Sequence, residues 1–272
     1  MIEKIKKNKV VYSLGKKVYV IGSYSLNKSV LSKNLELKNK YQDERCFIIG
    51  NGTSINRQDL TKLKNEFVFV CNHFYFHNQI NEIKPTFYSM IEPILAPPAF
   101  IKKMFPATIQ KIDSFACQNL DTTFFFNIQY KKYIDEKKLF LQNKVHYLLF
   151  SGGGFSDKMN LEMSKPNPSG RGSIYFMLSM AWYLGFKRIY ILGCDADYIL
   201  DGYERHFYGD DLSLQRRKSN LESAKMLCEE LKMLDILKRY FEKEDVRVFN
   251  AGKGGFLDVF ERADYESVLK NK

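Results

Sequence analysis

Two acids, two phenols and an imidazole follow one apolar run. Ile189-Tyr190-Ile191-Leu192 delivers the chain to Gly193-Cys194-Asp195-Ala196-Asp197-Tyr198, and Tyr203 and His206 come next in a polar loop. Such a set can move protons and hold charge. His206 is of the residue type that most often serves as a general base, and the Tyr198 and Tyr203 hydroxyls can donate hydrogen bonds to a departing phosphate. A solvated loop histidine is the plainer reading of His206. Asp195 and Asp197 form a DxD pair of the kind that holds a divalent cation, but so short a motif also arises by chance, and Asp195 suits equally well a loop anchor that accepts backbone amides.

Three further segments carry binding chemistry. After the run Cys46-Phe47-Ile48-Ile49, the turn Gly50-Asn51-Gly52-Thr53-Ser54 offers tight backbone geometry and amides at a helix start, which can receive a phosphate, with Asn51 adding a directed contact. A plain turn capped by Ser54 is the alternative. Phe67-Val68-Phe69-Val70-Cys71 ends in Asn72, His73, Phe74 and Tyr75. There Asn72 is the better candidate for a ribose, base or sugar hydroxyl, and His73 reads first as a structural histidine. Ser169-Gly170-Arg171-Gly172-Ser173 opens a helix, where small residues, free amides and a guanidinium suit a nucleotide phosphate or a sugar carboxylate. Capping by Ser169 or Ser173 explains the same residues without a ligand.

The elements that must position these groups are short apolar runs: 17–21, 46–49, 67–71, 86–91, 145–150, 188–192 and 246–249. Most are continuously apolar rather than alternating, as in strands covered on both faces. Helical spacing lies between several of them, at Ile174, Leu178, Ala181 and Leu184, and at Leu221, Ala224, Leu227, Leu231, Leu234 and Phe241. This alternation predicts an α/β fold, a Rossmann-like and mostly parallel sheet flanked by helices, with ligands at the carboxyl ends of the strands. One domain over 1–272 is expected, with 93–143, aromatic and weakly periodic, as an inserted helical subdomain or lid. The segment 151–168, with three consecutive glycines, reads as a loop.

Composition sets the outer limits. With 272 residues, 45% of them hydrophobic, the chain can bury a substantial core. The five cysteines are odd in number and widely spaced, with neither CxxC pairs nor zinc spacing, so disulfides and structural metal are not expected. No apolar run nears the length of a spanning helix, and the first residues lack a signal-peptide core, so a cytoplasmic protein is expected. The net charge of +11 favours anionic company: a phosphorylated or carboxylated small molecule, or the inner membrane surface through peripheral contact. No nucleic-acid motif is present, and no nucleic-acid partner is expected.

Taken together, Gly50-Asn51-Gly52-Thr53-Ser54-Ile55 and Cys71-Asn72-His73-Phe74-Tyr75-Phe76 resemble the GNGPSL and CNQFYF segments of the bacterial sialyltransferases of glycosyltransferase family 42. The likeness covers roughly 46–91 and 169–208. It extends more loosely to the motility-associated-factor flagellin glycosyltransferases and the 6-hydroxymethylpterin diphosphokinase-like group, which the stretches 201–206 and 246–252 resemble more. The resemblance implies a GT-A-like variant fold and an inverting transfer of a sialic acid, or a similar acid sugar, from a CMP-activated donor to a glycan acceptor of the bacterial cell envelope, as in lipooligosaccharide or capsule synthesis. The resemblance also implies that no metal or other cofactor is required. Asn51 and Asn72 would contact the donor, Ser173 would lie near its sugar or phosphate, Tyr198 and Tyr203 would stabilise the leaving phosphate, and His206 would be the base. A homo-oligomer is expected. The alternatives are an ATP-dependent pterin diphosphokinase-like enzyme, which would use the two acids and magnesium, and a non-catalytic nucleotide- or glycan-binding module.

Overall fold

The computed structural model describes residues 9–91, 98–151, 159–168, 170, 172–197, 199–200, 206–209 and 220–270. Among them eight strands form one sheet in the order β5-β4-β3-β2-β1-β6-β7-β8, every pair parallel. They are β1 (Arg45–Ile49), β2 (Phe67–Cys71), β3 (Phe87–Met90), β4 (Thr123–Asn127), β5 (Lys144–Leu148), β6 (Arg188–Leu192), β7 (Arg247–Asn250) and β8 (Glu261–Arg262). The helices are α1 (Lys9–Ser32), α2 (Ile80–Ile83), α3 (Pro98–Ala116), α4 (Lys131–Lys137), α5 (Ser173–Leu184), α6 (Asn220–Lys243) and α7 (Tyr265–Lys270). The fold is the Rossmann-like α/β arrangement that the alternation of runs predicts.

Continuous apolarity in the strands has its cause in two-sided cover. Alternate residues Cys46, Ile48, Phe69, Phe87 and Phe125 pack under α5 and α6, against Leu178, Leu184, Leu237 and Phe241. The residues between them, Phe47, Ile49, Val68, Val70, Phe124 and Phe126, meet Leu31, Ile83, Ile109, Ile112 and Val268 on the other face. Because side chains alternate along a strand, both faces can be dry only when every position is apolar. β1 and β6 are direct neighbours although they are far apart in the chain. The connections therefore reverse direction between them, and this reversal opens a crevice at the carboxyl ends of the strands.

Two local expectations change. The run 17–21 is rich in β-branched and aromatic residues and reads as a strand, yet it lies inside α1. Val20, Tyr24 and Leu31 follow helical spacing on the covered side of that helix, so tertiary burial overrides a local preference. The stretch 93–143 holds helices α3 and α4, and between them β4, which takes a place in the sheet between β3 and β5. Phe124, Phe125 and Phe126 are all fully buried there, filling both faces in turn. Of the segment 151–168, residues 152–158 lie outside the described residues. No described helix is long and apolar enough to cross a membrane.

Candidate functional site

The loops after β1 and β6 meet at the reversal point. A Cβ built on Gly50 would stand 2.3 Å from the Gly193 carbonyl oxygen, and one on Gly52 would stand 2.4 Å from Asp195 Oδ2, so both positions admit glycine alone. Gly52 N donates to Gly193 O (2.8 Å) and Ser54 N to Asp195 Oδ2 (2.9 Å), while Ser54 Oγ donates to Asp195 Oδ1. The chain here makes a short 3-10 turn, Thr53–Arg57, rather than a full helix, and Gly52 caps it without a side-chain bond. The amides expected to be open to a phosphate at Gly52 and Ser54 are therefore engaged, and Ser54 is a partner of Asp195 rather than a helix cap. Both Asp195 oxygens hold the loops together. This matches the anchor reading of Asp195, and among the described residues no group of three metal-ligating side chains forms.

Beside this lock, Thr53, Arg57, Asp197, Leu200, Lys253 and Phe256 line a depression of about 160 Å³. Burial, and then the Asp195 charge, push the Asp197 carboxyl above the usual carboxylate value, against the pull of its own backbone and of Arg57. The sequence reading missed Arg57 and Lys253, because nothing local marks two lone cations as neighbours across the chain.

On the β2 side the polar groups are left more open. Asn51 is nine-tenths buried, its Nδ2 donates to Cys71 O (3.3 Å), and its Oδ1 has no hydrogen-bond partner among the described residues. A buried carboxamide oxygen without a donor is costly, by about 1–3 kcal/mol, and a ligand donor would remove that cost. Asn72 ends β2 by turning into the left-handed region, φ +53°, which asparagine tolerates better than most side chains. Its carbonyl accepts from Tyr88 Oη (2.7 Å) and its Nδ2 donates to Ser173 Oγ (2.8 Å). Ser173 is the first residue of α5, and Gly172 before it supplies no side-chain cap. Gly170 lies against the Tyr175 ring, where a Cβ would come within 2.1 Å of a ring carbon. The three segments around Asn51, Asn72 and Ser173 thus converge on the amino end of α5, where the helix dipole and its first amides favour an anion.

His206 belongs to the same neighbourhood. Phe207 N, the next amide along, donates to Asn51 O (2.9 Å). The His206 ring stacks on Tyr208 (centroids 4.9 Å apart, planes at 7°), and Tyr208 sets its edge against His73 at 5.3 Å. His73 Nδ1 lies 3.1 Å from Tyr75 Oη. Burial, followed by the nearby charges of His206 and Lys111, holds the His73 imidazole below its ordinary value. Lys111 Nζ stands 5.1 Å over the Phe76 ring. Tyr208 and Lys111 escaped the sequence reading, which named Tyr75 only as part of the segment after the 67–71 run and gave it no role. One signal was present: the tripeptide His-Phe-Tyr occurs at 73–75 and again at 206–208. The two copies pack together, with Phe74 against Phe207 at 5.7 Å and His73 against Tyr208. Tyr198, Tyr203, Ser169 and Arg171 lie outside the described residues.

No family model matches the chain, and no curated protein matches it. Among solved structures it is similar to a MAf glycosyltransferase from Magnetospirillum magneticum AMB-1, with a TM-score of 0.44 and 14% sequence identity over 89% of this chain and 39% of that one. The chain thus spans well under half the length of that protein.

Proposed function

We propose that the chain is an inverting glycosyltransferase that moves an acid sugar, of the sialic acid kind, from a CMP-activated donor to a cell-envelope glycan. The observation that carries this reading is the buried, donorless Oδ1 of Asn51 beside the Asn72–Ser173 contact at the amino end of α5. A pyrimidine nucleotide brings what that place lacks: hydroxyl or amino donors for the carboxamide oxygen, and a phosphate for the helix end. A monophosphate needs less charge neutralisation than a diphosphate, in keeping with a site whose buried aspartate is already committed to Ser54.

The reaction is a single displacement. An acceptor hydroxyl oxygen forms a bond to the anomeric carbon from the face opposite the phosphate, and the bond from that carbon to the phosphate oxygen breaks. CMP leaves with the electron pair, and the acceptor proton passes to His206. Tyr208, stacked on the imidazole, fixes the plane of the His206 ring and so its reach. Tyr198 and Tyr203 fit the role of donors to the departing phosphate, with α5 stabilising the charge that develops.

Thermal shift with CMP, CDP, UDP, GDP and ATP, each with and without magnesium, tests the reading, since a ligand of the folded state raises its melting point. CMP should stabilise most, without metal, and Asn51→Ala should lose the shift. Stabilisation by ATP that needs magnesium and vanishes in Asp197→Asn would overturn it in favour of diphosphate transfer. CMP binding with no turnover over any acid-sugar donor, even by hydrolysis, would leave a binding module.

A further inference from the structure

Between Glu3 and Glu36 the chain has eight lysines and no acidic residue. Most of this span is α1, and among its described side chains one row is covered: Val20 and Leu31 are buried, and Tyr24 packs against the core beside them. Leu14, Val18 and Ile21 recur at the i, i+4, i+7 spacing of a single helix face, and they are 62%, 64% and 66% exposed. On the neighbouring row, Leu26 is 85% exposed, and nothing lies within 4 Å of a Cβ built on Gly15 or Gly22. Lys17 and Lys28 are exposed along the other flank of the apolar row. Bare aliphatic side chains bordered by lysines, with no carboxylate in between, are the make-up of a helix that lies flat in a lipid interface.

The helix is also held at a defined place. Just past its end, Asn34 Nδ2 donates to the carbonyls of Tyr147 and Met163 (2.8 Å each), fixing it against the edge strand β5. Further back, Tyr19 Oη accepts from Gln129 Nε2 (3.0 Å), immediately beyond the carboxyl end of β4. From Tyr19 the axis runs on toward its start, and ten residues of helix span about 15 Å. At Tyr19, therefore, α1 stands at the carboxyl rim of the sheet, the rim that also carries Asn51, Asn72 and His206.

We infer that α1 docks the protein on an anionic lipid surface, with Leu14, Val18 and Ile21 entering the interface and the lysines meeting lipid phosphates. This inference is independent of the glycosyl-transfer reading, and for a site with a lipid-linked acceptor it would bring the carboxyl rim of the sheet close to the membrane.

The test uses the whole chain with vesicles of phosphatidylcholine containing phosphatidylglycerol, against phosphatidylcholine alone. The chain should co-sediment with the anionic vesicles and be released by salt. Val18→Glu with Ile21→Glu should weaken partitioning at least about tenfold, and Lys17→Glu with Lys28→Glu by about twentyfold or more. The melting points of both variants should stay near that of the parent, because the altered side chains are exposed. Since the chain holds a single tryptophan, Trp182, a Leu14→Trp variant gives a second readout: its added indole emission should shift to the blue with anionic vesicles. The inference fails if the parent does not bind those vesicles, if the glutamate pair binds as well as the parent, or if the added indole emission is unmoved. It also fails if sedimentation velocity shows a dimer that Val18→Glu dissociates while vesicle binding is absent, which would assign the face to a second copy.

Discussion

Two seams at the carboxyl rim of the sheet are built by different means. Between β1 and β6 the contacts run through backbone: glycine against carbonyl, and a buried carboxylate receiving an amide and a hydroxyl from the facing loop. Between β2, α5 and the 206–209 loop they run through side chains: a carboxamide to a hydroxyl, imidazoles against phenols, and rings that stay partly exposed. The first seam satisfies Asp195 and Ser54 within itself, leaving only Gln58 Oε1 at the end of its turn without a partner among the described residues, whereas the second leaves Asn51 Oδ1 without a donor beside the open groups of Asn72 and Ser173. A rigid seam that fixes loop positions, beside a seam with unmet hydrogen-bonding capacity, is the division between scaffold and chemistry that precise positioning requires.

Loss of chemistry without loss of fold is the sharpest way to separate the two seams. His206→Ala should lower turnover by about 10²–10⁴-fold, while the melting point and the CMP-induced shift stay close to the parent's. Full activity in that variant would remove His206 from the base role and leave the second seam a binding surface only.

The opposite pattern is expected of the first seam. Asp195→Ala strands Ser54's amide and hydroxyl, and two bonds to a charged group contribute about 3 kcal/mol together, so the urea midpoint should fall markedly. Gly50→Ala should be destabilising by about 1–3 kcal/mol through overlap with the Gly193 carbonyl. An Asp195→Ala protein of normal stability that no longer turned over would place that aspartate in the chemistry instead.

A smaller effect tests whether the second seam acts as a unit. Asn72→Ala and Ser173→Ala should each reduce the CMP-induced shift, and the double variant should lose less than the sum, with a coupling of about 1 kcal/mol. Strict additivity would mean that the 2.8 Å contact does not link the two groups in solution.

The smallest expected effect is on acid stability. His73, His77 and His146 all have imidazoles held below the ordinary value of 6.5, burial being the first cause in each case. The folded state keeps them neutral and the unfolded state binds protons more readily. Their contribution is therefore fully present above pH 6.5 and is lost as pH falls below it toward the folded values. His73→Gln should flatten that loss by less than about 1 kcal/mol, since the side chain is partly exposed and its neighbours are screened. An unchanged pH profile in His73→Gln would show that neither burial nor the charges of His206 and Lys111 hold its imidazole down in the folded state.

Much of this arrangement is legible in the chain itself. Runs such as Cys46–Ile49 and Phe67–Cys71 are apolar at every position, and only a strand buried on both faces has use for that. The helical spacing at 174–184 and 221–241 yields α5 and α6. Asn51, Asn72 and Ser173 each stand where an apolar run ends or at a helix start, a position local pattern can recognise, while His206 is marked by its residue type in the polar loop that follows β6.

Partnership between such positions is another matter, and the tertiary structure alone decided it. Asp195 lies 141 residues from Ser54, and Asn72 lies 101 from Ser173. No periodicity links residues so far apart. Whether an aspartate anchors a loop or holds a cation depends on which donors the fold brings to it, and here Ser54 arrives first. The same physics decided α1, where Val18 to Ile21 favour a strand locally but Val20, Tyr24 and Leu31 can be covered together only at a helical period. It also seated three phenylalanines of β4 inside the sheet. Backbone pattern is written in neighbours along the chain, while burial and hydrogen-bond satisfaction are settled between neighbours in space.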